Sequence, residues 1–508
     1  MECIITIEIG TGAIRIVAFD MEGNMLGSTK GSYPTFHAKP DYSEQDPEQI
    51  FITMLYLLKI FLNEKIHPKK HDVQCICFSS AMHSVLPIDK NGVPIGNAMV
   101  WSDNRAKKEA DELKESPLGK ELYYRTGTPI HAMSPLNKIV WLRNNDPGRF
   151  SAADKFLSIK TYILEQLTGE YVIDHSVASA TGMMNIHTLT WDDDAVKYAG
   201  ISKDKLADLA TVFHIAGKLK PEYQASLRLH DRVKLIIGSS DGCMATLGAG
   251  VWGDGKATVT LEESGAIRVV GKEILQDEKQ RLFNYLLAEG NYVSGGPTNN
   301  VGSAFEWYAK QFGDFNKVYE LDDCIRNLIN DAAKVPVGSC GLIFLPYLQG
   351  ERAPMWNANA RGVYFGLNIK HELQHLVRAT IEGILYAFYS ISKVLEEHRI
   401  IACLSANGTY ASFPVWMQMM ADIFDKPVNI KKNSGPDSVA CGSYLVGATE
   451  MGLYKDLEHA AQKVKLQESY HPQEQNHKIY MKHYAVFESL SLKLHNEFKA
   501  IADLQHDY

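Results

Sequence analysis

The sequence predicts an α/β protein of two halves, each built on an open sheet that begins with a hairpin. Residues 6–17, TIEIGTGAIRIV, and residues 259–270, VTLEESGAIRVV, carry this reading: Gly12-Ala13-Ile14-Arg15 returns 253 positions on as Gly265-Ala266-Ile267-Arg268, between β-branched runs both times. A third stretch, KLIIGSSDGCMATLGAG at 234–250, reads as a buried strand, a tight turn and the start of a helix. It presents Asp241 at the carboxyl end of its strand, where open α/β sheets bind ligands. A carboxylate there can take a proton from a hydroxyl, and it can equally cap the helix. This stretch alone leaves both open.

At 508 residues the chain exceeds what one core supports, and two domains are the natural division. With 45% apolar and 22% charged residues its composition is that of an ordinary globular protein. No run of about 18 apolar residues predicts a membrane span. MECIITIEIG lacks a basic region ahead of its apolar run, so it is expected to be a strand and not a signal peptide. The eight cysteines (3, 75, 77, 243, 324, 340, 403, 441) show no CxxC pair, which argues against zinc and disulfides and for a reducing cytoplasm. A net charge of −8 leaves no electrostatic footprint for nucleic acid.

In chain order, residues 3–20 predict a hairpin whose tip, Gly10-Thr11-Gly12-Ala13, leaves backbone N–H groups open to a phosphate, with a further turn at Glu22-Gly23-Asn24. Residues 73–88 predict a strand, VQCICFSS, followed by Ala81-Met82-His83-Ser84 and another apolar run. VWSDNR at 100–105 sets Trp101, Asp103, Asn104 and Arg105 together, a mixture that suits sugars and sugar acids. His83 and Trp101 are also ordinary core residues by type. Residues 156–182 predict an amphipathic helix ending at Gly169, then a short strand and a small-residue turn. The second hairpin follows, with the boundary between halves expected near 248–255. Two hairpins facing one triphosphate would suit phosphoryl transfer, which is mostly positioning and charge neutralisation. At 291–310 a turn through Gly295-Gly296, Asn299-Asn300 and Gly302 is expected to lead into a helix whose amino terminus is open to an anion. Residues 341–367 predict a core strand and a loop, Glu351-Arg352-Ala353-Pro354, that locks its domain by buried polar pairing. A long helix over 371–398 and a strand, Gly408 turn, helix and strand over 402–430 complete this half. The last 55 or so residues read as polar and helical.

With these segments placed, the chain resembles the FGGY carbohydrate kinases. MSPLNKIVWLRNN at 133–145 is similar to the family's first signature through Pro135, Lys138 and Trp141, and GVYFGLNIKHELQHLVRATIE at 362–382 to its second through Gly362, Gly366, His375, Ala379 and Glu382. SSAMHS (79–84), WSDNRA (101–106), RTGTPIHAMSPL (125–136), GSSDGC (238–243) and LPYLQGERAPMW (345–356) are most similar to members that phosphorylate gluconate, with xylulose-phosphorylating members next. The resemblance implies two actin-like (ribonuclease H-like) ATPase domains with a deep interdomain cleft: a sugar-binding domain over 1–248, a nucleotide-binding domain over 249–455 and a helical extension over 456–508. It implies transfer of the ATP γ-phosphate, with Mg2+, to a sugar or sugar acid, and no membrane or nucleic-acid partner; a homodimer is compatible with it. Asp241 matches the general base. Met82, His83, Trp101, Asp103 and Met133 match the sugar site. Gly10, Thr11, Gly12, Ser264, Gly302, Gly408 and Thr409 match the ATP site, and Glu8 with Asp241 the metal site.

The chain departs from the family on the nucleotide side. Glu8 stands where Asp is usual, and Glu262-Glu263 where Gly-Thr is usual, so two carboxylates are expected to face and repel the γ-phosphate. Gly408 is followed by Thr409 in place of a second glycine, and Ser412-Phe413 replaces more polar residues. A sugar-binding relative without turnover is the competing expectation.

Overall fold

The computed structural model describes residues 1–506 apart from 68, 69, 289, 313–320, 433, 434 and 436. They fall into two units: Met1–Trp252 with Gly271–Ser294 and Asp437–Lys463, and Gly253–Val270 with Gly295–Pro436 and Val464–Tyr508.

In the first unit β1 (Glu2–Ile9) and β2 (Ala13–Asp20) form the expected antiparallel hairpin, closing at Ile9↔Ile14. β3 (Met25–Ser32) pairs antiparallel with β2. α1 (Pro47–Glu64) begins on the Asp46 cap, which accepts from Glu48 N and Gln49 N, and buries Ile50, Met54, Leu58 and Phe61 along one face. β4 (Asp72–Ser80) lies parallel to β1, and β5 (Lys234–Ser240) parallel to β4, giving the order β5-β4-β1-β2-β3. α2 (Pro135–Asn145) follows in the chain; α3 (Ile159–Thr168), which ends at Gly169 as expected, packs on β4, and the short α4 (His175–Ser179) packs on β5.

β5 leads directly into α5 (Asp241–Gly248). Two glycines make this possible. Gly238 has φ +65°, and a Cβ on it would lie 1.7 Å from Phe78 O, so the bulge before the turn admits no side chain. Gly248 meets the helix Ser438–Glu450 backbone to backbone: a Cβ on Gly248 would lie 1.9 Å from Ser438 O, and one on Gly442 2.0 Å from Met244 O.

The second unit repeats the pattern. β6 (Gly255–Leu261) and β7 (Gly265–Gly271) form an antiparallel hairpin closing at Leu261↔Gly265. Past the helices α6 (Gly302–Phe312) and α7 (Leu373–Glu396), β8 (Ile401–Asn407) lies parallel to β6. α8 (Pro414–Phe424) then crosses over to β9 (Val428–Lys431), parallel to β8. The runs β2-β1-β4-β5 and β7-β6-β8-β9 are the same arrangement, a hairpin followed by two parallel strands. The duplicated tetrapeptide thus marks a duplicated topology.

Two segments differ from expectation. Gly295-Gly296, expected in the turn before the helix, lie inside a strand, Asn291–Thr298. Gly296 serves packing there: a Cβ would lie 2.5 Å from Ile391 Cγ2 and 2.7 Å from Ala353 Cβ. The C-terminal segment, expected to be helical, also supplies β10 (Leu466–Tyr470), antiparallel to β9. Its residues are mostly exposed, so the apolar alternation that announces a strand is missing. α9 (Glu474–Lys493) follows and buries Tyr480, Tyr484 and Phe487. Among the described residues no helix is long and apolar enough to cross a membrane, and the eight cysteines are free thiols.

Candidate active site

Asp241 is the first residue of α5, and the cap is its neighbour: Ser240 Oγ accepts from Cys243 N at 3.4 Å. The capping alternative therefore falls to Ser240, and the half-buried Asp241 carboxylate accepts from its own Gly242 N at 2.6 Å. Behind this turn lies a buried polar brace. Lys160 Nζ, from α3, donates to Ser239 O at 3.0 Å and pairs with Asp174 Oδ2 at 2.6 Å, both side chains being at most 1% exposed. Asp174 caps α4 through Val177 N, and Ser176 of α4 reaches Ser240 Oγ at 2.8 Å. Three elements thus fix the residues on which Asp241 stands.

Glu8, Ser79 and Ser239 stand side by side in register across β1, β4 and β5. In a pleated sheet such neighbours share a face. The Ser79 and Ser239 hydroxyls, and that of Ser80, are buried without a hydrogen-bond partner. Glu8 and Asp241 are the carboxylates that could offer oxygen ligands to a hard, hydrated cation here.

The loops expected to meet a sugar are held from within. Lys138 Nζ, fully buried, donates to His83 O at 2.8 Å and Val100 O at 2.6 Å, tying the His83 loop to the Trp101 loop. Burial pushes the Lys138 ammonium down to about 7. His83, at φ +67°, donates from Nδ1 to Ala180 O at 2.8 Å; that leaves Nε2 to accept from Tyr285 Oη at 3.3 Å. Trp101 Nε1 donates to Thr11 Oγ1 at 3.0 Å. Gly10, Thr11, Met82 and Trp101 line one narrow cavity with Ser80 and Gln45. Gln45 Nε2 donates to Thr11 O, and Tyr33 Oη to Gly10 O. Gly12 is exposed at the tip, and Met133 is buried with its N–H donating to His131 Nδ1.

Asp103 departs from its expected place. Its carboxylate is wholly buried, accepting from Ser43 N at 2.8 Å and from Arg105 Nε and Nη2. Arg105 also pairs with Glu44 at 2.7 Å and lies 3.5 Å over the Tyr42 ring. Asp103 therefore shapes the Trp101 loop instead of meeting a ligand, because burying a carboxylate requires the full set of partners it finds here.

In the second unit Glu262, at the tip of the β6–β7 hairpin, turns its carboxylate onto the Gly408 turn. Oε1 accepts from Thr409 N at 3.0 Å and Oε2 from Thr409 Oγ1 at 2.7 Å. Gly408, at φ +95°, allows this approach, since a Cβ would lie 2.4 Å from Leu261 O. The α6 amino terminus, expected to be open, is also engaged: Gly302 N donates to Glu262 O at 2.9 Å and Ser303 N to Glu263 O at 3.2 Å. Ser264 O accepts from Glu262 N. Glu351 locks its unit as expected, accepting from Thr298 Oγ1, Asn299 N and Arg352 N while fully buried; that burial raises its carboxyl pKa.

Lys160 and Asp174 have no role legible in the sequence, and Lys138 is visible there only as a residue of the first signature. A lysine within four residues of the Pro-Leu and Tyr-Ile runs, and too apolar in context to be solvated, was the available signal.

Comparison with known proteins matches the family model "FGGY family of carbohydrate kinases", with its N-terminal domain over residues 3–248 and its C-terminal domain over 264–451. The chain is 37% identical to a gluconokinase of Bacillus subtilis (strain 168), over 98% of this chain and 97% of that one. It is 29% identical to a xylulose kinase of Staphylococcus epidermidis over 96% of each. Solved structures of a gluconate kinase and a ligand-bound xylulose kinase, both from Lactobacillus acidophilus, align at TM-scores of 0.90 and 0.91 with 30% identity, covering 98% and 99% of this chain and 99% and 100% of theirs. The chain belongs to the FGGY family of carbohydrate kinases.

Proposed function

We propose that the protein phosphorylates D-gluconate to 6-phosphogluconate at the expense of ATP, with Asp241 as general base. The observation that carries the mechanism is the β5–α5 turn, which sets Asp241 at the carboxyl end of its strand while Ser240, not Asp241, makes the N-cap bond to Cys243 N. The choice of gluconate rests on the full-length likeness to gluconokinases; xylulose is the second substrate to try.

Asp241 takes the proton of the acceptor hydroxyl as that oxygen bonds to the γ-phosphorus. The bond from phosphorus to the bridging β–γ oxygen breaks, and ADP leaves with that oxygen. Glu8 and Asp241 would hold hydrated Mg2+, which neutralises charge on the phosphates. Lys138 positions the His83 and Trp101 loops, and the Lys160–Asp174 brace positions the base. A coupled assay over a panel of sugars and sugar acids tests this. Gluconate is expected to give the highest kcat/KM, and Asp241→Asn to lower kcat by about 10²–10⁴. An unchanged rate in Asp241→Asn removes the assigned base. A sugar-binding protein without turnover is the second reading, and the Glu262–Thr409 contact is the observation that favours it.

A further inference from the structure

We infer that Glu262 is a built-in competitor for the nucleotide's phosphates, and that it sets how tightly this chain holds ATP. The inference rests on the reading of the second unit as the nucleotide's. The hairpin tip already satisfies the donors a phosphate would use. The Glu262 carboxylate takes both the N–H and the hydroxyl of Thr409, at 3.0 and 2.7 Å. The Glu262 and Glu263 carbonyls take the N–H groups of Gly302 and Ser303. Gly408 seats the turn against Leu261 O, so tip and turn share one surface.

Glu263 points to solvent, as repulsion would send it. Glu262 instead occupies the turn, as an anion held by a backbone N–H and a hydroxyl, which are the groups that grip phosphate oxygens. A phosphate oxygen reaching Thr409 must displace this carboxylate, because two anions cannot share the same two donors at close range. Glu263, exposed beside it on the same tip, adds a second negative charge. A nucleoside without phosphates meets no such opposition. The chain should therefore penalise ATP selectively and leave adenosine binding as it is.

The test uses the full-length protein and titration calorimetry with adenosine and with ATP–Mg2+, beside steady-state kinetics with gluconate. Glu262→Gln keeps the side chain's size and its acceptor toward Thr409 N and removes the charge; Glu262→Gly removes the contact. Both are expected to tighten ATP at least tenfold and lower KM for ATP in step, while the Kd values for adenosine and gluconate stay within about twofold. Glu263→Gln, which removes a charge but no bond to Thr409, is expected to tighten ATP by less than about threefold. Equal changes for adenosine and ATP would mean a loosened turn and overturn the proposal. An effect of Glu263→Gln as large as that of Glu262→Gln, or an unchanged Kd for ATP, would do the same. If the parent turns over ATP and Glu262→Gln leaves KM unaltered, the competitor falls and the kinase reading stands. If gluconate binds but no form binds either adenosine or ATP, both fall together.

Discussion

Trp101 Nε1 donates to Thr11 Oγ1 at 3.0 Å, joining two loops 90 residues apart in the chain. The proposed function gives one loop to the sugar and the other to the phosphate, and on that reading this bond couples the two sites. Trp101→Phe and Thr11→Val each remove the bond while keeping the bulk. Each is expected to lower kcat/KM about fivefold, as the loss of about 1 kcal/mol requires. The double variant should be no worse than the poorer single, giving a coupling of about 1 kcal/mol in a double-mutant cycle. Fully additive losses would show that the two side chains act separately.

Lys138 makes stability depend on pH in a stated direction. Below about pH 7 the ammonium is charged in both folded and unfolded chains, and its burial cost is felt in full. As pH rises from 7 toward the ordinary value of 10.5, the folded form sheds the proton and the unfolded form keeps it. The unfolded state then binds more protons, so stability rises with pH, by at most about 1.4 kcal/mol per unit. Urea denaturation of the parent and of Lys138→Met at pH 6 and pH 9 checks this. The parent should gain at least about 2 kcal/mol on the variant between the two, and a constant difference would show that the amine is not shifted. Because Lys138 also ties His83 O to Val100 O, Lys138→Met should raise KM for the sugar acid about tenfold.

What the sequence shows and what it hides follow from the range of each interaction. Both hairpins, the bend before Asp241 and the turn at Gly408 are legible because glycine between β-branched runs has a local meaning. Lys160 and Lys138 are not, because their partners Ser239 and His83 lie 79 and 55 residues away, and a lysine on a helix ordinarily reads as a solvated face. Glu262 was singled out correctly as unusual. Its direction was not legible, since Thr409 lies 147 residues further on and only the fold brings the two together. Asp103 misled for the opposite reason: Trp, Asp and Arg close in sequence look like a ligand site, and here the Asp and the Arg satisfy one another.

Lys160 and Asp174 form an ion pair with almost no exposure, so removing one partner strands a buried charge. Lys160→Met is expected to cost about 3–5 kcal/mol in urea denaturation. Adding Asp174→Asn, which keeps an acceptor for the α4 cap, should recover most of that loss. The double variant still lacks the donor to Ser239 O, so its kcat should remain below the parent's with KM little changed. Recovery of both stability and kcat would mean that the brace does nothing for the base.

Gly442 gives the clearest link between packing and the site. A methyl group there would lie 2.0 Å from Met244 O on α5, closer than any real contact allows, and a helix backbone cannot yield as a flexible side chain can. Gly442→Ala must therefore push the helix Ser438–Glu450 away from α5 or tilt α5 on its base. Overpacking of this kind costs about 1–3 kcal/mol or more. Asp241 begins α5, so the displacement should reach the carboxylate and lower kcat even in protein that is fully folded by circular dichroism at the assay temperature. Gly452→Ala, just past the same helix with nothing within 4 Å of its added Cβ, is the control; its positive φ of 81° makes it costly to stability alone. If Gly442→Ala lowers stability no more than Gly452→Ala and leaves kcat unchanged, close packing of these two helices does not set the position of Asp241.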